Sequence, residues 1–326
     1  MAEKPTVGVA MIARNAEALM PLALDPVVEH VDEVAIVLGG VSDDATPELA
    51  RKYATLPVEE FAGSLDEHGR LMSFAQARNQ SFEILRQAGV RYAFVVDTDD
   101  QWEQVENLRA VVDQMEQGEF PMALFAYHYS DGTFVQPRIY LIESGHWEGP
   151  CHNYWEMDNG RPRVGLQTDL MSVRQERPEE HGRNRREQNV MISEAWMAEH
   201  GDDCRLLLHM AKDLMVDRKM DQALDALDRY FVKYEETGRQ DPEELYNAYH
   251  AKAGALVLFE QYGEALINAF MALSVRPHAQ SWSLAGEAAL WLAKFSAEPR
   301  PLLKLSEFCS DQALYTGKAR QNLHWH

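Results

Sequence analysis

The sequence predicts two domains: an α/β domain on a mostly parallel β-sheet, followed by an all-α domain of helical repeats. Three observations lead there. Strand-length apolar runs alternate with helix-like segments through the first half. From about Glu194 the strand signals stop, and Ala, Leu, Met and Tyr recur at helical spacing. The 326 residues are long for one core and comfortable for two. The expected domains are 1–193 and 194–326.

In the first half, Val7–Ile12 reads as a buried strand, and Ala16–Val28 as a helix interrupted near Pro21 and Pro26. Val34–Leu38 is a second strand, and Gly39–Ala45 a turn-rich loop. Thr46–Tyr53 is a helix with Thr46 as its expected N-cap and Pro47 in its first turn. Phe74–Ala88 is a helix ended by Gly89. Tyr92–Val96 is a third strand that runs into Asp97-Thr98-Asp99-Asp100. Val105–Gln117 is helical, and Met122–Tyr129 and Thr133–Ile142 are strands. Helices are expected on both faces of this sheet, with ligands beyond the carboxyl ends of its strands. The loops Gly39–Ala45 and Asp97–Asp100 both lie at such ends.

In the second half a degenerate repeat is visible. The clearest copy is AYHAKAGALVLFEQYGEALINAFMALSVRP, Ala248 to Pro277. Its Ala253, Ala265, Ala272 and Pro277 occupy tetratricopeptide-like offsets. Ala211 and Ala223 repeat the interval upstream, and Leu284, Ala285 and Ala297 do so more weakly downstream. Small residues at these offsets let antiparallel helices approach closely, so that stacked pairs share a core. A non-repeat helical bundle is the alternative.

Bulk composition narrows the function. Hydrophobic residues make up 46% and charged residues 25%, as in an ordinary globular protein. Apolar runs such as Val34–Leu38 and Ala93–Val96 fall far short of the roughly 20 residues of a membrane span. The opening MAEKPTVGVAMIARN lacks a signal-peptide layout. Cys151, Cys204 and Cys309 are odd in number and widely spaced, which argues against a disulfide framework. A cytoplasmic location is therefore expected. The net charge of −21 denies nucleic acid or an anionic membrane a generally attractive field. The run from Arg174 to Arg186 interleaves acids with bases and reads as a solvated loop and helix start. His324, Trp325 and His326 read as a frayed terminus.

Asp97 and Asp99 carry the most chemistry. They follow an apolar strand, two positions apart, and can aim at one point beyond the sheet. Hard cations such as Mn²⁺ or Mg²⁺ take oxygen ligands, commonly one or two carboxylates plus substrate phosphates. A cation so held neutralises a leaving diphosphate. Asp-rich turns are also common without a metal, and Asp100 could instead cap a following helix.

Five segments, in order, carry a resemblance: MIARN (Met11–Asn15), VDEVAIVLGGVSDDAT (Val31–Thr46), FAQARNQSFE (Phe74–Glu83), YAFVVDTDD (Tyr92–Asp100) and PRIYLIESGHWEGPCHN (Pro137–Asn153). Together they resemble the family 2 glycosyltransferases of the GT-A fold, a Rossmann-like α/β architecture, in the branch with C-terminal tetratricopeptide-like repeats. The resemblance implies a metal-dependent, inverting transfer of a hexose-type sugar from a nucleotide diphosphate. It implies that Asp97 and Asp99 are the family's DxD pair, binding metal and diphosphate. Arg78 matches an arginine lining the donor site, and a guanidinium facing a diphosphate is sensible chemistry. Asp44 matches the acid of a Ser-x-Asp-x-Thr loop, and Met11, Ala13 and Arg14 fall where the first strand's end meets the nucleotide. The family usually ends its second strand with an Asp that reads the base, whereas this chain has Leu38-Gly39-Gly40. A UDP-sugar is favoured by the resemblance, and this departure leaves the base open. The Trp-x-Gly-x-x-His-Glu signature appears as Trp147 to His152 followed by Asn153 in place of the acid.

Inverting transfer needs a general base for the acceptor. Glu148, Glu156 and Asp158 are the nearby candidates, with Glu148 favoured. His152 is either a metal or phosphate ligand or a structural imidazole. Trp147, Tyr154 and Trp155 either form a sugar-stacking wall, with Trp147 on the donor, or anchor the core. The repeats would bind the acceptor, a protein or peptide being favoured by their concave surfaces, or build a homodimer. A glycan or modified nucleobase acceptor stays open. The competing reading is a non-catalytic interaction protein with a degenerate transferase domain. A nucleotidyltransferase fits poorly, because MIARNAEALM lacks the glycine-rich loop such enzymes use.

Overall fold

The computed structural model describes residues 4–129, 132–158, 164–175, 179–238 and 241–323. The terminal His324, Trp325 and His326 lie outside the described residues. The chain forms two compact units, Met1–Gly182 and Arg183–His326. The division falls at 182/183, where the sequence alone suggested 193/194.

The first unit is built on an eight-stranded sheet of order β3-β2-β1-β4-β7-β6-β10-β5. Its strands are β1 (Val7–Ala13), β2 (Glu33–Leu38), β3 (Glu59–Glu60), β4 (Tyr92–Val95), β5 (Gln101–Glu103), β6 (Met122–Tyr129), β7 (Gly132–Leu141) and β10 (Leu166–Arg174). Strand β1 pairs parallel with β2 and β4, β2 with β3, and β6 with β10. Strand β7 runs antiparallel between β4 and β6, and β5 antiparallel on β10. The remaining strands, β8 (Gly145–Glu148) and β9 (Tyr154–Met157), form a separate hairpin.

Alternation along the strands produces two cores. Val7, Val9 and Met11 of β1, with Val34, Ile36 and Leu38 of β2, face one side. There they meet α1 (Met20–Leu24), α2 (Thr46–Tyr53) and α4 (Leu108–Gln117). Ala10, Ala35, Val37 and Ala93 face the other side, covered by α3 (Phe74–Gln87) and by Trp147, Trp155 and Met157 of the hairpin. The expected layering, helices on both faces, is thus realised.

Some local expectations change. Pro21 sits in the first turn of α1, where a missing N–H costs nothing, and the helix runs only Met20–Leu24. Ala45, not Thr46, is the N-cap of α2. The Thr46 hydroxyl instead donates to Asp44 Oδ1 at 2.5 Å and accepts from the Ala16 N–H at 2.6 Å. Asp100 does not cap a helix; β5 follows it directly.

The second unit is all-helical among the described residues. Helix α5 (Glu179–His200) spans the division, and α6 (Cys204–Val216), α7 (Met220–Thr237), α8 (Pro242–Leu258), α9 (Tyr262–Val275), α10 (Ala279–Phe295) and α11 (Pro299–Leu323) follow. They pack as consecutive pairs α6–α7, α8–α9 and α10–α11. Ala211, Ala223, Ala253, Ala265, Ala272 and Ala285 are all 0% exposed, as close helix approach requires. Ala297 is a correction: it is exposed in the connection after α10, and Ala293 is the buried alanine there. Asp203 and Asp241 cap α6 and α8 by accepting backbone N–H bonds.

Candidate active site

Strand β4 delivers the chain to the Asp97–Asp100 loop beside the carboxyl end of β1, where the Val96 N–H reaches the Ala10 carbonyl at 3.2 Å. One ligand oxygen each from Asp97, Asp99 and Asp100 lies within 4.8 Å of the others. Two arginines grip the first of these. Arg78, from α3, donates through Nη2 to Asp97 Oδ1 at 2.9 Å. Arg138, from β7, donates through Nη1 to Asp97 Oδ2 at 2.9 Å. Each guanidinium lies over an aromatic ring: Arg78 is 5.0 Å from the Trp147 ring centre, and Arg138 is 4.7 Å from that of Tyr127. The Nε atoms of both arginines are buried without a hydrogen-bond partner.

Asp100 lies beneath and is fully buried. Its Oδ2 accepts from the Asp97 N–H at 3.0 Å and the Tyr127 hydroxyl at 2.9 Å, and its Oδ1 accepts from Gln175 Nε2 at 3.2 Å. Burial pushes its carboxyl up most, Arg138 opposes this, and Asp97 and Asp99 add to it, leaving it pushed up to about 7. Between about pH 4 and 7 the folded protein therefore keeps a proton that the unfolded chain releases. Stability falls as pH rises through that window. We expect wild type to lose stability relative to Asp100→Asn between pH 4 and 7 in urea denaturation. A pH-independent difference would remove this reading of Asp100.

The loops at the ends of β1 and β2 are laced together. Arg14 donates through Nε to the Val41 carbonyl at 2.9 Å and through Nη2 to the His68 carbonyl at 3.2 Å. Asp44 accepts from the Glu17 and Thr46 N–H groups, each at 3.0 Å. Burial works to raise its carboxyl, but the Thr46 hydroxyl and these N–H groups hold it below the usual carboxylate range. Met11 and Ala13 are each 1% exposed, so their side chains belong to the core. Leu38 is buried too, and Gly40 has φ +113°, with any Cβ only 2.0 Å from the Gly69 carbonyl oxygen. The glycine that follows β2 is thus a packing requirement.

On the hairpin, Trp147 and Trp155 are 7% and 4% exposed and pack with Phe82 and Tyr140. Both side chains belong to the core on that face of the sheet. Asn79 holds the hairpin to α3: its Oδ1 accepts from the Trp147 N–H at 2.8 Å, and its Nδ2 donates to the Trp147 carbonyl at 2.9 Å. Asn79→Ala leaves both groups unpaired, and we expect a loss of about 1–3 kcal/mol in chemical denaturation. Glu148 and Asp158 meet on one histidine: His146 Nε2 is 2.9 Å from Glu148 Oε1, and its Nδ1 is 3.0 Å from Asp158 Oδ1. Burial lowers the His146 pKa, but the two carboxylates outweigh it and the net shift is upward. His152 stands at φ 46° in the hairpin loop and is not part of the Asp97–Asp100 cluster.

The family model described as glycosyl transferase family 2 matches residues 8–177, more than half of the chain. The chain belongs to glycosyl transferase family 2. No curated protein matches it. Among solved structures, the one titled MamA MSR-1 C2 matches 41% of this chain and 95% of its own, at 13% identity and TM-score 0.21. That superposition is too loose to say anything about the fold.

Several groups in this candidate site escaped sequence reasoning. Arg138 stood inside a matched segment without a role; an arginine within the run PRIYL was its signal. His146 is two residues before Glu148, hence on the same strand face, and that spacing could have found it. Tyr127 and Gln175 reach the site only through strand order and left no local signal.

Proposed function

We propose that this family 2 glycosyltransferase moves a hexose-type sugar from a nucleotide-diphosphate donor to an acceptor nucleophile, with inversion, using Mn²⁺ or Mg²⁺. The observation that carries the reading is the set of three carboxylate oxygens within 4.8 Å of one another at the carboxyl end of the parallel strands. An all-oxygen donor set suits a hard divalent cation, so the residues fit such an ion. Asp99 and Asp97 would hold it, and when bound it supplies positive charge to offset the leaving diphosphate.

The chain's own groups do the rest. Arg78 and Arg138 fix both oxygens of Asp97, and Asp100 closes the turn from below. Arg78 is the group that faces the donor phosphates. Arg14 and Asp44 shape the nucleotide end by holding the loops after β1 and β2, and Met11 and Ala13 offer it backbone. Trp147 acts through the Arg78 guanidinium stacked on it. On the acceptor side the nucleophile forms its bond to the anomeric carbon while the carbon–diphosphate oxygen bond breaks. The acceptor proton passes to Glu148 or Asp158, the carboxylates that share His146. His152 serves the same loop as a polar group. A UDP-sugar is the first donor to try, a protein or peptide the first acceptor, with the helical unit binding it or forming a homodimer in the cytoplasm.

Donor turnover tests this. Nucleoside diphosphate should be released from one nucleotide sugar in Mn²⁺ and not in EDTA. Release from no donor, or equal release in EDTA, would favour the alternative, a non-catalytic interaction protein. The observation on that side is that both Asp97 oxygens are already occupied by arginines.

A further inference from the structure

The last helix of the repeat unit has an outward face that the described residues leave uncovered. Helix α11 packs on α10 through Leu305 and Cys309. Cys309 is 0% exposed, and its Cβ lies 3.3 Å from where a Cβ on Gly286 would sit. Lys304, Phe308, Asp311 and Tyr315 stand at i, i+4, i+7 and i+11, away from that contact. They form one stripe about 17 Å long. All four are exposed, Phe308 by 51% and Tyr315 by 72%. The Phe308 ring is nonetheless held edge-on against Trp282 of α10, 5.7 Å centre to centre. Lys304 and Asp311 have no hydrogen bond or ion pair with a described residue. They are two helical turns apart, too far to satisfy each other within one chain.

Charge decides what can cover this stripe. The chain carries a net charge of −21, so copies of it repel wherever acidic faces meet. On α7 the exposed Val232 shares its face with Asp221 and Asp225, and on α9 the exposed Ile267 and Met271 share theirs with Glu264. Neither face can meet its own copy without bringing carboxylates together. The stripe on α11 holds one charge of each sign, and an antiparallel copy matches it. With the two-fold axis between Phe308 and Asp311, Lys304 lies opposite the partner's Tyr315, and Phe308 opposite the partner's Asp311. The partner's Asp311 is one turn from the partner's Tyr315, so Lys304 reaches both its carboxylate and the ring face. Two-fold symmetry makes every such contact twice.

We propose that two copies of this chain associate through α11 as an antiparallel helix pair, with Phe308 as the anchor and Lys304 paired with the partner's Asp311. This rests on the homodimer reading of the helical unit and not on the transferase chemistry. An aromatic side chain already held by Trp282 gives up little freedom on association, which favours it as the anchor. A contact confined to one helix pair is smaller than the roughly 1,200–2,000 Å² of a standard interface. The dimer is therefore weak, with a dissociation constant of about 10–100 µM.

The test is sedimentation equilibrium of the full chain from about 1 to 200 µM, a range that brackets the expected constant. Wild type should pass from monomer to dimer. Lys304→Glu and Asp311→Lys should each weaken association at least about tenfold, because each turns attraction into repulsion at two symmetric contacts. Carrying both changes in one chain restores opposite charges and should bring association back to within about threefold of wild type. Both positions are exposed and unpaired, so the dilute variants should melt with wild type. Tyr315→Ser should weaken the dimer as well, so the test does not hang on charge alone. A chain that stays monomeric throughout overturns the proposal together with the homodimer reading. If that monomer binds labelled hexaglutamate, the face belongs to an acidic partner instead. A dimer indifferent to the single charge changes, or one that the paired change does not restore, overturns α11 as the interface and leaves a homodimer through another surface. No sugar donor enters the experiment, so the transferase chemistry stands or falls separately.

Discussion

Arg138→Met is expected to destabilise the protein by about 3–5 kcal/mol in urea denaturation. The guanidinium is 7% exposed on β7, bonded to Asp97 Oδ2 and stacked on Tyr127. Methionine fills similar space but removes one of the two arginines bonded to Asp97 and the cation that counters the upward push on Asp100. The cost therefore comes from weaker compensation of Asp97 and of the buried Asp100, not from lost volume. This makes a sharper forecast for the double variant. Adding Asp97→Asn to Arg138→Met should recover part of the loss, because the buried Asp100 then faces one carboxylate charge fewer. Arg138→Lys keeps the charge without the planar fork and should fall between wild type and Arg138→Met. A loss below about 1 kcal/mol in Arg138→Met would mean that the pair with Asp97 is not what holds the loop.

Asp99→Asn is expected to lower turnover by about 10²–10³-fold or more while changing stability by no more than about 0.5 kcal/mol. Asp99 is partly buried, while Asp97 is bonded to Arg78 and Asp100 is buried and bonded to Tyr127. Substituting either of those two would confuse folding with chemistry. Asp99 separates them. If Asp99→Asn turns over the donor at the wild-type rate under saturating Mn²⁺, the carboxylate cluster is a structural knot.

The contrast between these two predictions shows how far the sequence could be read. The apolar strands β1, β2 and β4 and the helices α3 and α4 are written in local periodicity, and the Asp97–Asp100 loop follows from where β4 must end. The short strands β3 and β5 carry too few residues to form a pattern. Strand β10 has a sequence, LQTDLMSVR, whose pairing with β6 shifts register between Gln167 and Ser172, so its alternation is broken. The antiparallel insertion of β7 between β4 and β6 is a matter of topology, and it alone brings Arg138 and Tyr127 to Asp97. A sequence shows an arginine in a strand; it does not show which carboxylate that strand will lie beside. The hairpin is a similar case. Trp147 and Trp155 are two aromatics facing each other across β8 and β9, and only packing against Phe82 shows that they face the core. In the helical unit the alanine pattern was legible, because close helix contact demands small residues. Ala297 was misassigned because the pattern does not say where α10 stops.

The most direct measurement is the melting temperature of the wild-type protein with a panel of nucleotide sugars, with and without Mn²⁺. A ligand that binds only the folded state raises apparent stability by mass action. The account predicts that one donor raises the melting temperature in Mn²⁺, and that the rise is lost in EDTA and in Asp99→Asn. The contrary result is a panel in which no donor shifts the melt with or without metal, in which case the Asp97–Asp100 loop binds no donor.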